Sequence, residues 1–572
     1  MARAARVART ASPVARRTAS RVAPRVARPR TAREELLTLH RKIWEENKRR
    51  IDDSTIDDTG ELKRYRGAHT RACSTYRDVS TFAELAGAAA RANVVYVGDY
   101  HTSKQSQKVY LKLVKRLHEA GRPLVLALEL LQKKHQPAVD KFLAGQCGEA
   151  AFLEAIRFRK NWPFDNWENF RPIFQFARET GTRVVGIDAK IDGKNSLSLR
   201  DAFAGEVIAK AIGENPVATV LVLIGDLHIA PSHLPASTDR ALGAKRLPRS
   251  KPLLVFQNSE RIYWKLAAAG LERSAEVVRI AENAFSVMNT PPIILQQTYL
   301  NWLEREEDVL DYADARTEFL TLLKRIAGFL GLPLPKEADE VEVYTCGDLS
   351  FLDALRARRV FREHELDEIK RQIRSAESYF IPRSKMVYLA NLSTNHAAEE
   401  ASHYLKILCA PEELPKERSA AFYANALHEA VGFFGSKIIN DRRKTPHEEE
   451  FRKLLASNEP YGPIARRVAR LVLAHKEIEK HARGPRGNDN LKKLGPTLAL
   501  IHKQPVDLFI GVTHALGYIL GEKLFYAMVA GKISKTFLRE LYQDPFTRSG
   551  RARARYFELV ELMRDVAVPE RT

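Results

Sequence analysis

Between Thr81 and Asn258 the chain alternates short apolar runs with longer amphipathic segments, and this alternation restricts the fold more than any other feature. The apolar runs are rich in β-branched and aliphatic residues, as strands buried on both faces of a sheet are. They are NVVYV (93–97), LVLAL (124–128), RVVGI (183–187), ATVLVLI (218–224) and PLLVF (252–256). The pattern is typical of β-α-β units and predicts an α/β fold with a mainly parallel sheet flanked by helices.

After about residue 305 the strand pattern fades, and most of the sequence has the apolar spacing of amphipathic or buried helices. The second half is therefore predicted to be an all-α C-terminal domain. Together these patterns predict four regions, which are a disordered basic tail (1–33), a helical lead-in (34–84), the α/β domain (85–304) and the helical domain (305–572).

The net charge of +21 is concentrated in the N-terminal tail. Residues 1–33 contain ten arginines and no acidic residue, so removing them leaves +11 over the remaining 539 positions. Without aromatic residues the tail cannot bury enough apolar surface to offset its ordering entropy, which predicts disorder. Its charge favours non-specific contact with nucleic acid or an anionic surface, although a solvated extension without a defined partner explains it better.

The sequence does not have the features of an exported or membrane protein. No stretch reaches the roughly 18 to 20 uninterrupted apolar residues of a membrane-spanning helix, and no apolar signal core follows the basic N-terminus. Cys73, Cys147, Cys346 and Cys409 form no C-x-x-C pair, which fits a reducing compartment better than a disulfide scaffold or a zinc module. We therefore expect a cytoplasmic protein without a transmembrane segment, and its oligomeric state stays open.

Polar residues follow each of the five predicted strands, at the edge where ligands bind to open parallel sheets. Two strands are followed by the same Gly-x-x-His pattern, and a third is followed by a glutamate. The candidate residues at the strand ends are Gly98, His101, Glu129, Asp188, Gly225, Asp226, His228 and Asn258.

These residue types suit a ligand site. His101 and His228 could bind a metal or move protons near neutral pH, and Glu129 could be a third ligand or a base that activates water. Asp188 and Asp226 are weaker candidates, because aspartate is also common in helix caps and turns. The alternative is that all of them hydrogen-bond to neighbouring loops and helix ends.

The motifs stand in longer segments, which are VVYVGDYHTSKQSQ, LALELLQKKHQPAVDKFLAGQ, NWPFDNWENFRPIFQFARETGTRVVGIDAK and VLVLIGDLHIAPSHLP. Over about residues 85–265 they resemble the ChaN-like branch of a superfamily that also includes erythromycin esterases, Tiki proteases and TraB proteins. The resemblance implies an α/β domain with a two-histidine, one-glutamate cleft. It also implies haem binding in iron acquisition, usually by an exported lipoprotein, while relatives use the same cleft for hydrolysis.

The sequence departs from that branch in two ways. It shows no signal peptide or lipobox cysteine, so the lipoprotein role does not carry over easily. Haem ligation in the branch is associated with a tyrosine and a histidine, and no motif identifies the tyrosine here. Tyr100 and Tyr263 are candidates, although amphipathic aromatic residues at a domain edge are the stronger interpretation.

Two further groups of residues near the predicted cleft are ambiguous. Asn161, Trp162, Trp167 and Asn169 predict either a binding wall for a flat ligand or a tryptophan pair packed in the core. Arg261 could pair with a ligand carboxylate or, as arginines commonly do, with a surface carboxylate.

The helical half offers one candidate site, in NHAAEEASHYL. His396, Glu399 or Glu400, and His403 would share one helix face, and Glu400-x-x-His403 has the spacing found in di-iron bundles. Because a second Glu-x-x-His is missing, an exposed charged face is the stronger interpretation.

The sequence as a whole predicts a ligand-binding protein whose cleft holds haem, iron or a divalent metal through His101, Glu129 and His228. The first alternative is a metal-dependent or His/Glu-based hydrolase of esters or peptides that uses the same three residues. The second is a scaffold or nucleic-acid-associated protein that acts through its basic tail and helical half.

Overall fold

A computed structural model describes most of the chain. The described residues are 30–54, 60–306, 312–345, 348–374, 378–381, 383–390, 393–411, 415, 417–457, 462–482, 495–546 and 551–569. Most of the predicted tail and Cys346 lie outside them. The first described helix begins at Ala32, so the last two residues of the predicted tail are helical.

The large sheet has eight strands within the described ranges. They are β1 (Asp78–Ser80), β2 (Val94–Asp99), β3 (Leu124–Gln132), β4 (Arg183–Asp188), β5 (Thr219–Gly225), β6 (Pro252–Gln257), β7 (Val277–Ala281) and β8 (Ala284–Val287). Their order is β1-β7-β8-β6-β2-β5-β3-β4. The strands from β8 to β4 are parallel, and β7 runs antiparallel to β1 and β8. The predicted α/β fold with a mainly parallel sheet is confirmed.

The five predicted strands correspond to β2 through β6. The sequence analysis missed β1, β7 and β8, because segments of three to five residues at a sheet edge show little hydrophobic periodicity. Successive residues of β2 pack into opposite helical layers, as the two-residue period of a strand requires. Val95 and Val97 belong to one core, and Val94 and Tyr96 belong to the other.

Helices cover both faces of the sheet. The helices up to residue 306 are α1 (Ala32–Ser54), α2 (Gly60–Ala72), α3 (Phe82–Arg91), α4 (Lys104–Glu119), α5 (Gln136–Leu143), α6 (Glu149–Ala155), α7 (Phe158–Asn161), α8 (Trp167–Thr180), α9 (Ser196–Glu214), α10 (Leu234–Ala244), α11 (Glu260–Ala269) and α12 (Pro292–Glu306). The start of α3 is set by residues close in sequence, because Thr81 and Glu84 form a capping box there.

The C-terminal region is helical, as predicted. Its described helices are α13 (Tyr312–Leu330), α14 (Phe351–Arg358), α15 (Glu363–Arg374), α16 (Thr394–Cys409), α17 (Arg418–Ile439), α18 (Glu448–Ala456), α19 (Pro463–His481), α20 (Gly495–His502), α21 (Val506–Val529), α22 (Lys535–Gln543) and α23 (Arg551–Leu562). Leu36 and Ile43 of α1 join their core, and His40 Nε2 lies 2.8 Å from the carbonyl oxygen of Ile438.

The helical region also contains a small sheet that the sequence analysis missed. Its strands are β9 (Glu342–Thr345), β10 (Tyr379–Ile381) and β11 (Met386–Leu389), in the order β10-β11-β9. Each has only three or four residues, which is too short for a clear alternation of apolar and polar side chains.

One described helix, α21, is long and apolar enough to cross a membrane by length and composition alone. Sixty-one per cent of its most apolar window is buried inside the protein, as in the core helix of a folded domain. It packs closely on α17, because a Cβ at Gly521 would lie only 2.4 Å from the carbonyl oxygen of Ala430.

Candidate functional site at the strand ends

The carboxyl ends of β2, β3 and β5 bring together the histidine and the glutamate that the sequence singled out. His101 Nε2 lies 3.8 Å from Glu129 Oε2, and the backbone N–H of Gly225 donates to that same oxygen at 2.6 Å. A Cβ at Gly225 would lie 3.2 Å from His101 Nε2, so the glycine keeps this meeting point open. The pairing of β3 with β4 is irregular between Leu128 and Gln132, the segment that contains Glu129.

Arg200 on α9 joins two of the predicted carboxylates. Its NH2 donates to Glu129 Oε1 at 2.6 Å, and its Nε donates to Asp188 Oδ1 at 2.8 Å. Burial alone would raise the pKa of Glu129, but Arg200, His101 and His228 together lower it to about 2. Burial raises the pKa of Asp188 even though Arg200 opposes the change. Glu129 is therefore the fixed negative charge of the site.

His101 is oriented from behind by a buried aspartate. Its Nδ1 lies 3.0 Å from Asp99 Oδ2, and Gln107 Nε2 donates to Asp99 Oδ1 at 2.6 Å. Burial alone would lower the pKa of His101, but Asp99 and Glu129 raise it. With Asp99 on Nδ1, the nitrogen left for a ligand is Nε2.

His228 is also oriented by a buried aspartate, which in this case comes from a helix. Its Nδ1 lies 2.6 Å from Oδ1 of Asp201 on α9, and Tyr65 on α2 donates its hydroxyl to Asp201 Oδ2 at 2.7 Å. The Tyr65 ring stacks on His233, with 3.8 Å between ring centroids. The imidazole of each Gly-x-x-His motif is thus backed by an aspartate.

Gly98 is required by the side chain of Asp226. A Cβ at Gly98 would lie 1.7 Å from Asp226 Oδ1, so only glycine fits beneath this carboxylate. The other oxygen, Oδ2, pairs with Nε2 of His69 on α2. Burial opposes the charge on His69, but Asp226 raises its pKa well above the ordinary value.

Aromatic rings border His101 on one side. The ring centroids of Trp162 and Phe164 lie 4.8 and 4.9 Å from that of His101, and Trp302 lies 4.8 Å from Phe164. We call Trp162, Phe164 and Trp302 the aromatic ledge; Phe164 and Trp302 are half-buried. Trp162 is buried in the same core as Trp167, but its ring also contacts His101, whereas the Trp167 ring contacts core phenylalanines.

The asparagines of that segment make local contacts. Asn161 donates its side chain to the carbonyl oxygen of Ile156 at 2.7 Å, whereas Asn169 is half-buried on α8. Asn166, which the sequence analysis did not select, donates to the carbonyl oxygen of His101 at 2.7 Å and accepts from Trp162 Nε1.

Four other candidates lie apart from these contacts. Asn258 accepts hydrogen bonds from the backbone of Asn289 and Thr290 at 2.9 Å each and so holds a neighbouring loop. Arg261 is exposed, and Tyr263 is buried in the core. Tyr100 is half-buried, and burial raises its pKa.

The charged residues predicted on an exposed face of α16 are in fact buried. Glu399 and Glu400 are 2% and 4% exposed. Arg443 NH2 donates to Glu399 at 2.7 Å, and Glu400 accepts from the backbone N–H of Phe380 at 2.7 Å. The expectation failed because distant segments supply an ion-pair partner for Glu399 and a hydrogen-bond donor for Glu400. Across the described ranges, no three His, Cys, Asp or Glu side chains are arranged to hold a metal ion.

Four of the site residues that the sequence analysis missed are on helices. They are Tyr65 and His69 on α2, and Arg200 and Asp201 on α9. A search of strand ends cannot find such residues. Arg200 and Asp201 stand among other polar residues of α9, such as Ser198 and Glu206, so the sequence of that helix does not single them out.

Comparison with known proteins supports the resemblance. Residues 85–198 match the family model described as haem-binding uptake, Tiki superfamily, ChaN. The ChaN-like resemblance is therefore confirmed over that segment, which contains His101, Glu129 and Asp188. No curated protein matches the chain.

Three solved structures are similar to parts of this chain at low identity. The type III effector HopBA1 is 18% identical over 36% of this chain and 90% of its own, with a TM-score of 0.26. ChaN of Campylobacter jejuni, described for cofacial heme binding, is 14% identical over 31% of this chain and 86% of its own, with a TM-score of 0.23. RRSP, a MARTX toxin effector domain from Vibrio vulnificus, is 17% identical over 39% of this chain and 55% of its own, with a TM-score of 0.21.

Proposed function

We propose that the cleft at the strand ends binds haem, with the imidazole of His101 as the donor to the iron. The observation that carries this proposal is the setting of His101. Its side chain is 22% exposed, Asp99 fixes its Nδ1, and its Nε2 lies 3.8 Å from Glu129, beyond hydrogen-bond distance. A histidine held this way presents the nitrogen that haem iron uses in many proteins.

The surroundings of His101 also suit a flat, largely apolar ligand. The half-buried rings of Phe164 and Trp302 continue the surface that begins at Trp162, and aromatic faces are common walls of such sites. The match of residues 85–198 to a haem-binding family supports the same ligand. The donor set suits haem better than a bare divalent metal, which needs several converging side chains.

The remaining residues would set the charge and shape of the cleft. Glu129, held ionised by Arg200, faces His101 and stabilises positive charge there. His228 adds a second imidazole near Glu129, and Asp226 crosses the site above Gly98. When bound, haem would supply an iron centre whose ligand and redox behaviour depends on these neighbours.

The proposal is tested by titrating the full-length protein with haemin and following the Soret absorbance. We expect saturable, near-stoichiometric binding by the wild type and its loss in His101→Ala. His118→Ala is the matched control, because His118 is an exposed histidine of the same domain. The haem proposal is wrong if the wild type shows no saturable shift, or if His101→Ala binds as the wild type does.

A second candidate, hydrolysis of esters or peptides, is favoured by the two aspartate–histidine pairs around Glu129. An imidazole backed by a buried carboxylate is a common general base, and His101 has a raised pKa. Glu129, with a pKa of about 2, is a poor base and would act by orienting His101. A hydrolytic rate that His101→Ala abolishes supports this candidate, whereas inactivity against broad ester and peptide panels argues against it.

We also keep a cytoplasmic location as part of the proposal. Cys73, Cys147, Cys346 and Cys409 form no C-x-x-C pair, and this spacing favours a reducing compartment over a disulfide scaffold. Cell fractionation with a tagged full-length chain tests this location directly.

A further inference from the structure

We propose that Tyr65 is a positioning residue of the cleft: its hydroxyl fixes Asp201, and Asp201 in turn fixes the imidazole of His228. The inference rests on the proposed function, in which His228 faces the bound ligand. Tyr65 lies on α2, outside the family match at 85–198 and outside the α/β domain predicted at 85–304. The chain thus uses its own lead-in segment to complete the site.

The contacts form a continuous path from α2 to the cleft. The Tyr65 hydroxyl donates to Asp201 Oδ2 at 2.7 Å, and Asp201 Oδ1 lies 2.6 Å from His228 Nδ1. Asp201 is only 1% exposed, so bulk water cannot replace either partner. Burial and the neighbouring Asp201 carboxylate raise the pKa of Tyr65, so its hydroxyl stays protonated and remains a donor.

The two oxygens of Asp201 have separate partners, and this explains why Tyr65 matters to His228. With Oδ2 held by Tyr65, the carboxylate resists rotation, and Oδ1 stays on Nδ1 of the imidazole. With Asp201 on Nδ1, the nitrogen of His228 left to act in the cleft is Nε2. The charged or titratable groups that influence this region include Glu61 and His69 on α2, Glu129 on β3, His233 before α10 and Arg240 on α10.

Further contacts fix the position of α2 relative to α9, the helix that carries Asp201. The Glu61 carboxylate accepts from the backbone N–H groups of Leu197 and Ser198 at 3.3 and 3.0 Å, in the first turn of α9. A carboxylate at a helix N-terminus satisfies backbone donors that have no partner inside the helix. The stacking of Tyr65 on His233 fixes the ring itself. The hydroxyl is therefore held in place from two sides.

The test uses Tyr65→Phe in the full-length chain, because this change keeps the stacked ring and removes only the hydroxyl. Tyr344→Phe is the matched control, since it removes a hydroxyl bonded to the Glu342 carboxylate at 2.9 Å in the small sheet. The first readout is the nitrogen-15 NMR signal of the His228 imidazole, assigned by its loss in His228→Gln. The second is haemin affinity.

We expect Tyr65→Phe to change the His228 nitrogen signals and to weaken haemin binding about three- to tenfold. This is less than the full effect of one hydrogen bond to a charged group, because the loss reaches the ligand only through Asp201 and His228. Tyr344→Phe should change neither. If Tyr65→Phe leaves the His228 signals unchanged, the inference is wrong, whatever the haemin affinity of the variant. Changed signals in a protein whose wild type does not bind haemin support the link from Tyr65 to His228 and refute only the proposed ligand.

A third outcome is possible if the wild type binds haemin. If Tyr65→Phe then changes the His228 signals but leaves haemin affinity unaltered, Tyr65 has no role in the cleft. If Tyr65→Phe does not fold, Asp201→Asn replaces it, because it removes the charge at the centre of the path while keeping its shape. The inference then requires the same change in the His228 signals, and unchanged signals refute it.

Discussion

Replacing Gly98 with alanine probes the closest approach in the site. The new Cβ would lie 1.7 Å from Asp226 Oδ1, 2.7 Å from Asp226 Cγ and 3.1 Å from Ile229 Cδ1. Contacts below 3 Å cannot persist, so the Asp226 side chain must move and its ion pair with His69 must break. We expect a cost of about 1–3 kcal/mol for overpacking, with about 1 kcal/mol more for the lost partner of His69.

A double-mutant cycle separates the steric clash from other effects of the methyl group. In Asp226→Ala the clashing carboxyl atoms are gone, so adding Gly98→Ala should cost about 1 kcal/mol or less, from the remaining contact with Ile229. Gly243→Ala is the matched control. It lies in α10 with open space around the new Cβ and should be neutral, or stabilising by about 0.5–1 kcal/mol.

The assay is urea denaturation followed by circular dichroism, with the free energy of unfolding compared among the four proteins of the cycle and the control. A Gly98→Ala protein as stable as Gly243→Ala would refute the placement of Asp226 over Gly98. The same conclusion follows if Gly98→Ala costs as much in the Asp226→Ala background as in the wild type.

Two further predictions concern charged groups. The folded-state pKa of Glu129, about 2, lies below its ordinary value of 4.5. Ionised Glu129 therefore contributes about 3 kcal/mol to the free energy of unfolding. This contribution is present above about pH 4.5 and is lost as the pH falls towards 2. The stability gap between the wild type and Glu129→Gln in urea should therefore narrow on acidification, and a constant gap would contradict this. In the helical half, Gly432→Ala places a Cβ 2.0 Å from His403 Nε2 and should lower the free energy of unfolding by about 1–3 kcal/mol, whereas no loss would show that His403 does not pack there.

The sequence predicted the centre of the sheet because its strands are buried on both faces. The runs that became β2 to β6 are almost wholly apolar, and that composition suits few other structures. The strands at one end of the sheet, β1, β7 and β8, are short, and the edge strand β1 pairs with β7, which lies far along the chain. Local sequence patterns carry little information about such partners.

The candidate site was predictable to the extent that it lies at strand ends. The meeting of His101 with Glu129 follows from the parallel order of β2, β5 and β3. Arg200 and Asp201 reach the same place from α9, and their role depends on how that helix packs. Tyr65 lies on α2, outside the strand-end motifs that the sequence analysis considered.

Burial of charge was the least predictable property. Glu399 and Glu400 look like surface residues, since carboxylates are seldom buried without partners. Their burial becomes understandable only with Arg443 and the Phe380 backbone in place. Trp162 and Trp167 show the same dependence on tertiary contacts, because two similar neighbours in sequence have different ring contacts.

Hydrogen–deuterium exchange of the full-length protein with and without haemin tests the central claim most directly. Binding at His101 should slow amide exchange in residues 99–107, in residues 162–166 of the aromatic ledge and in α2, which supplies Tyr65 and His69. Helices α17 and α21 should be unchanged. Protection confined to the helical half or to the N-terminal residues, with none at 99–107, would contradict haem binding in the strand-end cleft.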